Sequence, residues 1–167
     1  MQVNKAENNV YTKKPSILKN IVSGAIVDLK LSVPVLSQYA MGDYFSKQTE
    51  IEQNLTGTQD GKEDGAIKNI ANGAVKQLVY TIPVLGTYKV GQAKINHENL
   101  KDSIDAYKKD IDYSQKKKGA IRTYLTGLEE KAKLVTPVYG FYYAGKISNE
   151  IDNMLKDSQA INAKNNV

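Results

Sequence analysis

One unit of 26 residues occurs three times along this chain of 167 residues, and the three copies align without a gap. The copies run from Ile17 to Gly42, from Ala66 to Gly91 and from Ala120 to Gly145. Five columns are identical, and they hold Gly24, Gly73 and Gly127; Pro34, Pro83 and Pro137; Val35, Val84 and Val138; Tyr39, Tyr88 and Tyr142; and Gly42, Gly91 and Gly145. A repeat this regular predicts that each copy is one packing and bending unit.

Each copy has the pattern of a helix, a bend at proline and a second helix. Before the proline, apolar residues recur along one broad helical face, which in the first copy holds Ile17, Leu18, Ile21, Val22, Ala25, Ile26 and Leu29. The residue before each proline is β-branched (Val33, Ile82 and Thr136) and avoids the helical conformation there. Proline suits the first turn of a helix. We therefore predict an all-α fold of three tandem helix–Pro bend–helix repeats, with about six helices and no sheet.

The expected boundaries are an N-terminal arm at 1–16, repeats at 17–55, 66–112 and 120–158, and a C-terminal tail at 159–167. Ser16 is a plausible cap for the first helix. The segments Leu55–Gly65 and Tyr113–Gly119 are expected to be linkers, and beyond the aligned unit the second helices become polar. They keep an apolar thread, which holds Ile51, Leu55, Leu100, Ile104, Tyr107, Ile111, Ile147, Ile151, Met154 and Leu155.

The repeated glycines need a physical reason, because a glycine inside a helix costs about 1 kcal/mol relative to alanine. One explanation is the close approach of another helix, as in packing through small residues four apart. The other is that these glycines end helices in the left-handed conformation. The sequence alone does not choose between the two.

An uncharged window surrounds each bend, at Leu31–Gly42, Leu78–Tyr88 and Leu134–Gly145. Each window would be about 17–18 Å long as a helix, which is too short to cross a bilayer of about 30 Å. The simplest expectation is that the three windows meet and form the core. The alternative is an interfacial or re-entrant contact with a membrane, for which the Tyr-rich third window is suited. Both can hold at different times.

Residues for catalysis, cofactor binding or metal binding are not evident. The chain has no Cys and one His, and it lacks the phosphate-binding, zinc-binding and calcium-binding motifs. His97 corresponds to Gln48 and Ile151 in the other copies, so we expect an ordinary surface histidine. We predict that the protein is not an enzyme, holds no cofactor or metal and has no small-molecule substrate.

Two short groups of lysines and a net charge of +5 are compatible with phosphate contact. The candidate residues are Lys13, Lys14, Lys116, Lys117 and Lys118. Solvated linkers are the simpler explanation of these lysines, and no DNA-reading motif accompanies them. Nonspecific contact with DNA is the most that they indicate.

The three Gly…Pro-Val…Tyr…Gly units, together with a Lys- and Asn-rich composition without cysteine, resemble the inner core (internal or ejection) proteins of short-tailed phages of low-GC Gram-positive bacteria. The resemblance is one of type. It implies a virion-internal structural protein that contacts capsid or portal subunits, or itself, and lies beside DNA. It also implies release with the genome to assist its passage across the host membrane. Such a protein is made in the host cytoplasm and packed in the virion interior.

Two other functions fit the same pattern. The first is a cytosolic helical-repeat binding module or inhibitor that uses a Tyr-rich surface. The second is a membrane-active toxin, exported without a cleaved signal, since the first 16 residues are polar. No run of 18 apolar residues predicts an ordinary transmembrane helix.

Overall fold

The computed structural model describes residues 14–58, 65–136 and 138–165, which form six α-helices and no strand. The helices are α1 (Ile17–Leu31), α2 (Pro34–Thr56), α3 (Ala66–Thr81), α4 (Pro83–Lys108), α5 (Ala120–Val135) and α6 (Tyr139–Asn165). The all-α fold with six helices is therefore confirmed. Each repeat supplies a short first helix (α1, α3, α5) and a long second helix (α2, α4, α6). Ser16 caps α1 as expected, because its side chain accepts a hydrogen bond from the backbone N–H of Lys19.

The bends follow from the residues before the prolines. Val33, Ile82 and Thr136 all have extended backbone angles, with ψ near 118–119°. Pro34 and Pro83 then begin α2 and α4. The third bend differs. Val138 has a left-handed φ of 59°, and α6 begins after it, at Tyr139, instead of at the proline. Pro137 lies outside the described residues.

The two helices of one repeat fold back on each other, but each first helix packs most extensively on the second helix of a different repeat. These pairs are α1 with α6, α2 with α3, and α4 with α5. Each pair joins neighbouring repeats, and the pair α1 with α6 closes the ring.

The cross-repeat pairs are antiparallel. Along α4 and α5, Thr87 contacts Lys131, while Glu98 contacts Lys118 just before α5 begins. In the closing pair, Asn20 contacts Asn149 further along α6 than the contact of Gly24 with Phe141. Because the ends of α1, α3 and α5 thus lie beside the beginnings of α6, α2 and α4, all three bends lie at the same end of the molecule.

The molecule therefore has two ends of different construction. We call the three first helices, the bends and the second helices up to Gly42, Gly91 and Gly145 the bend end. We call the rest of α2, α4 and α6 the stem. In the stem three parallel helices pack together, with core residues three and four apart as in a coiled coil.

The hydrophobic core lies in the stem. It consists of the buried side chains of Ile51, Leu100, Ile104, Ile151, Met154 and Ile161, with Leu55 and Leu155 packed against it. Several occupy equivalent repeat positions, so Ile51, Leu100 and Met154 form one layer of the threefold arrangement. Most of the apolar thread predicted for the second helices is this core, but Ile147 is half-buried outside it, and Tyr107 and Ile111 are exposed.

The expectation that the three uncharged windows form the core is wrong. Most of their large apolar side chains are exposed, among them Val35, Leu78, Val84 and Val135, whereas Tyr143 of the third window is buried. The apolar faces of the first helices are exposed as well. In α1 the buried residues are Asn20 and Gly24, while Leu18 on the apolar face is 71% exposed.

Two predicted boundaries also need correction. The C-terminal tail expected at 159–167 is helical as far as Asn165, because Ile161 is fully buried in the stem core. The second repeat was expected to extend to 112, but α4 ends at Lys108, where Lys109 and Asp110 form a turn. The N-terminal arm expected at 1–16 is described only from Lys14 onward.

Truncating one isoleucine in each end tests which end holds the core. We expect Ile51→Ala to lower the free energy of unfolding by about 2–5 kcal/mol, because a fully buried side chain leaves a cavity. Ile67→Ala is the matched control; Ile67 is 85% exposed, and its loss should change stability by less than about 0.5 kcal/mol. Urea unfolding of both variants measures the difference. Equal losses would contradict the location of the core.

Candidate functional site

The bend end is built on close backbone contacts between glycines. At the crossing of α2 and α3, a Cβ atom on Gly73 would lie 1.6 Å from the carbonyl oxygen of Gln38. A Cβ atom on Gly42 would lie 1.8 Å from the carbonyl oxygen of Asn69. No side chain fits at such distances, so the two backbones touch directly.

The other two crossings repeat this contact. Gly91 of α4 faces Gly127 of α5, and a Cβ atom on either would lie 3.0 Å from the backbone nitrogen of the other. Gly145 of α6 packs against the carbonyl oxygen of Asn20 and the backbone nitrogen of Gly24 in α1. All six repeated glycines are thus used for close approach. None of them has a positive φ, so they do not end helices in the left-handed conformation.

The glycine contacts come with small or polar neighbours inside the bend end. The residue four positions before the first glycine is Asn20, Asn69 or Thr123, and all three are buried. Between α1 and α6, the side-chain amide of Asn149 donates hydrogen bonds to Asn20 Oδ1 at 3.0 Å and to Ser23 Oγ at 3.1 Å. The interior of this end is therefore mostly backbone, glycine and small polar groups, of which Asn69 Oδ1 has no hydrogen-bond partner within the described part of the chain.

The exposed large hydrophobic side chains are concentrated on the outside of the bend end, where exposed charged residues such as Asp28 and Glu129 lie among them. Among the described residues, every exposed large hydrophobic side chain except Tyr107 and Ile111 lies in the first helices, the bends or the first turns of the second helices. These side chains come from all three repeats, so the apolar surface surrounds this end of the molecule. The arrangement is the reverse of the stem, where apolar side chains are inside.

The predicted site residues lie as follows. Tyr39 is exposed and Tyr88 and Tyr142 are half-buried, all in the first turns of the second helices. Pro34 and Pro83 are exposed at the bends. Lys14 is exposed before α1, and Lys116, Lys117 and Lys118 line one wall of a surface cavity. Lys13 and Pro137 lie outside the described residues.

His97 is buried, so the expectation of a surface histidine is wrong. It is 2% exposed and lies where α2, α4 and α6 meet, as its repeat counterparts Gln48 and Ile151 do. Its Nδ1 lies 3.2 Å from the hydroxyl oxygen of Tyr44 and its Nε2 lies 3.3 Å from Glu150. Both ring nitrogens thus have partners on neighbouring helices, and the ring joins the three parts of the stem.

The surroundings of this cluster change the acidity of two of its members. Burial raises the pKa of the Tyr44 hydroxyl well above its usual 10.0. Burial also tends to raise the pKa of Glu150, but hydrogen bonds from His97 and Lys101 outweigh it and lower the pKa to about 2. Lys101 contacts the second carboxylate oxygen at 3.0 Å. The Glu150 carboxylate is therefore held in its charged form.

Comparison with known proteins finds no family model, no curated protein and no solved structure that matches this chain. None of the helices in the described ranges is long and apolar enough to span a bilayer.

Alanine at a crossing glycine tests the close backbone contact. In an open helix, Gly→Ala stabilises by up to about 1 kcal/mol. We expect Gly73→Ala to do the opposite and to lower the free energy of unfolding by about 2–4 kcal/mol, because its Cβ meets backbone that side-chain rotation cannot move. Gly65→Ala is the control, since nothing lies within 4 Å of its Cβ position; because Gly65 is the N-cap of α3, this variant should lose no more than about 1 kcal/mol. Thermal unfolding compares the two, and a stabilised Gly73→Ala would refute the contact.

The low pKa of Glu150 predicts a loss of stability in acid. A carboxyl with a folded-state pKa of about 2 and a usual value of 4.5 stabilises the fold above pH 4.5. That contribution, about 3 kcal/mol for a shift of this size, disappears as the pH falls from 4.5 toward 2. Glu150→Gln should be less stable at pH 7 and should lose less stability between pH 6 and pH 3. Urea unfolding across this range, with Glu52→Gln as control, measures the slope; equal slopes would contradict the assignment.

Proposed function

We propose that this is a non-enzymatic protein whose bend end enters the outer part of a lipid bilayer while the stem stays in water. The observation that carries the proposal is the reversed construction of the two ends. The stem has an apolar inside, whereas the bend end has glycine and hydrogen-bonded polar groups inside and apolar side chains outside. Helices in lipid pack through small residues and interhelical hydrogen bonds and turn apolar side chains outward.

The distribution of the exposed apolar residues favours lipid over a protein partner. A protein partner covers one face, whereas the apolar surface here comes from all three repeats and surrounds one end. An exposed apolar surface of this kind marks a place of contact, because soluble monomers rarely expose large continuous patches. Lipid can cover a surface that surrounds an end of a molecule.

The length of the apolar part limits how deep the contact goes. From Pro83 to Gly91 the second helix of repeat two advances about 12 Å, and one leaflet of the hydrocarbon core is about 15 Å thick. The first charge after this bend is Lys89, and the last charge before it is Lys76. In repeat two the bend therefore suits one leaflet and its headgroup region, with lysines placed to meet headgroup phosphates. At the other two bends the last charges before the proline, Lys30 and Lys133, lie closer to it.

A virion-internal role gives such a protein a setting, and we keep it as the proposed context. The resemblance to inner core proteins implies contacts with capsid or portal subunits, packing beside DNA and assistance to genome passage across the host membrane. The net charge of +5 is compatible with both DNA and anionic lipid. What the geometry supports is the membrane step; the virion location rests on the resemblance.

Polar substitutions on the apolar surface test the membrane contact. Leu78 and Val84 flank the second bend, at 70% and 68% exposure. We expect Leu78→Gln and Val84→Gln each to weaken partition into phosphatidylglycerol-containing vesicles about tenfold, because each loses about 1.5 kcal/mol of burial in lipid. Vesicle co-sedimentation measures the partition.

The matched control is Ile111→Gln, because Ile111 is a similar side chain at 59% exposure but lies beyond the stem helix α4. It should leave partition unchanged. If all three variants bind like the parent chain, or if the parent chain binds no vesicles and instead forms oligomers that Leu78→Gln disrupts, the exposed apolar surface serves protein association and the membrane proposal is wrong.

A further inference from the structure

An open cavity of about 600 Å³ lies on the side of the molecule, between α2, α3, α4 and the segment that leads into α5. Two of its lining residues show where it lies along the molecule. Tyr88, the last residue of the second uncharged window, and Lys89, the first charge after it, both line the cavity. The cavity therefore lies at the level where the apolar bend end meets the polar stem.

Positive charge dominates the lining. Five lysines and one carboxylate line the cavity, and the lysines are Lys76, Lys89, Lys116, Lys117 and Lys118. Two of these charges are offset by neighbours, since Lys116 pairs with Asp102 at 2.8 Å and Lys118 with Glu98 at 3.2 Å. The other three have no carboxylate partner among the described residues. An excess of cations thus faces an open, solvated space.

Aromatic rings form the wall beside these cations. Phe45 and Tyr80 stack with their ring centroids 6.1 Å apart, and the ammonium group of Lys76 lies 4.4 Å from the centre of the Phe45 ring. The hydroxyl of Tyr80 donates to the backbone carbonyl of Lys89, and burial raises the pKa of this hydroxyl to about 12. The wall is therefore neutral and aromatic, and it lies directly beside the lysines.

We infer that this cavity binds a phosphate ester, and that in the membrane-bound protein the ester is the headgroup of an anionic phospholipid. Lysine ammonium groups bind phosphate oxygens as point charges. The glycerol and first acyl carbons of a lipid would lie against Phe45 and Tyr80, toward the bend end. The source of the phosphate rests on the proposed membrane function, whereas the phosphate site itself does not.

The test compares two double variants of the full chain that lose the same charge. Lys76→Gln with Lys117→Gln removes two exposed cavity lysines that form no salt bridge within the described part of the chain. Lys109→Gln with Lys156→Gln removes two exposed lysines in the stem, outside the cavity. Circular dichroism confirms that both variants fold.

The first readout is partition into vesicles with and without phosphatidylglycerol in phosphatidylcholine. Each lysine near an anionic surface contributes about a factor of five, so the cavity variant should lose about 20-fold or more on anionic vesicles. The stem variant should lose less than about threefold. Equal losses in the two variants would show that net charge alone acts, and would overturn the cavity site while leaving membrane binding intact.

The second readout uses soluble glycerol 3-phosphate and needs no membrane. Backbone amide shifts at Lys76, Lys89 and Lys117 should saturate in the parent chain, and the cavity variant should abolish them. Shifts without any vesicle binding would support the phosphate site and contradict the membrane function. The absence of shifts at these residues, with vesicle binding unaffected by the cavity variant, would refute the site.

Discussion

The rest of the structure depends on direct backbone contact between helices at three glycine crossings. Each crossing joins a first helix to the second helix of another repeat, and together the three crossings close the chain into a ring. Close approach replaces side-chain interdigitation, so these interfaces bury little apolar surface. Contacts between Cα–H groups and carbonyl oxygens, which such spacing permits, contribute modestly and only while the backbones stay close. A single added methyl group would therefore force the two backbones apart and weaken the whole crossing.

These glycine interfaces determine on which face of the first helices the apolar residues lie. If glycine and small polar residues occupy the inner face of a first helix, its apolar residues must be on the outer face. In α3 the inner face holds Asn69 and Gly73, and the outer face holds Ile67 and Leu78. Water does not favour such an arrangement, but lipid does. The stem supplies the conventional core that the bend end lacks, with Ile51, Leu100 and Met154 in one layer.

The repeat predicted the helices and the bends because these depend on local chemistry, namely β-branched residues before prolines and periodic apolar positions. It did not predict which face is inside, because amphipathic periodicity marks an apolar face and does not say that the face is buried. The polar residue four positions before each first glycine was the available signal, since Asn20, Asn69 and Thr123 each share a face with a crossing glycine. Burial of His97 could also have been predicted, since it lies three residues before Leu100 on the apolar thread.

The central proposal is that the bend end enters lipid while the stem stays in water. The chain has no Cys, so single spin labels can be attached at chosen sites without background. Labels at Val84→Cys in the bend end and Lys109→Cys in the stem should differ in vesicle-bound protein when collision rates are measured by power saturation. If the bend end lies in lipid, oxygen should relax the label at 84 more than a water-soluble nickel complex does. At 109 the nickel complex should relax the label more than oxygen does. Equal access of the nickel complex to both labels would contradict the proposal.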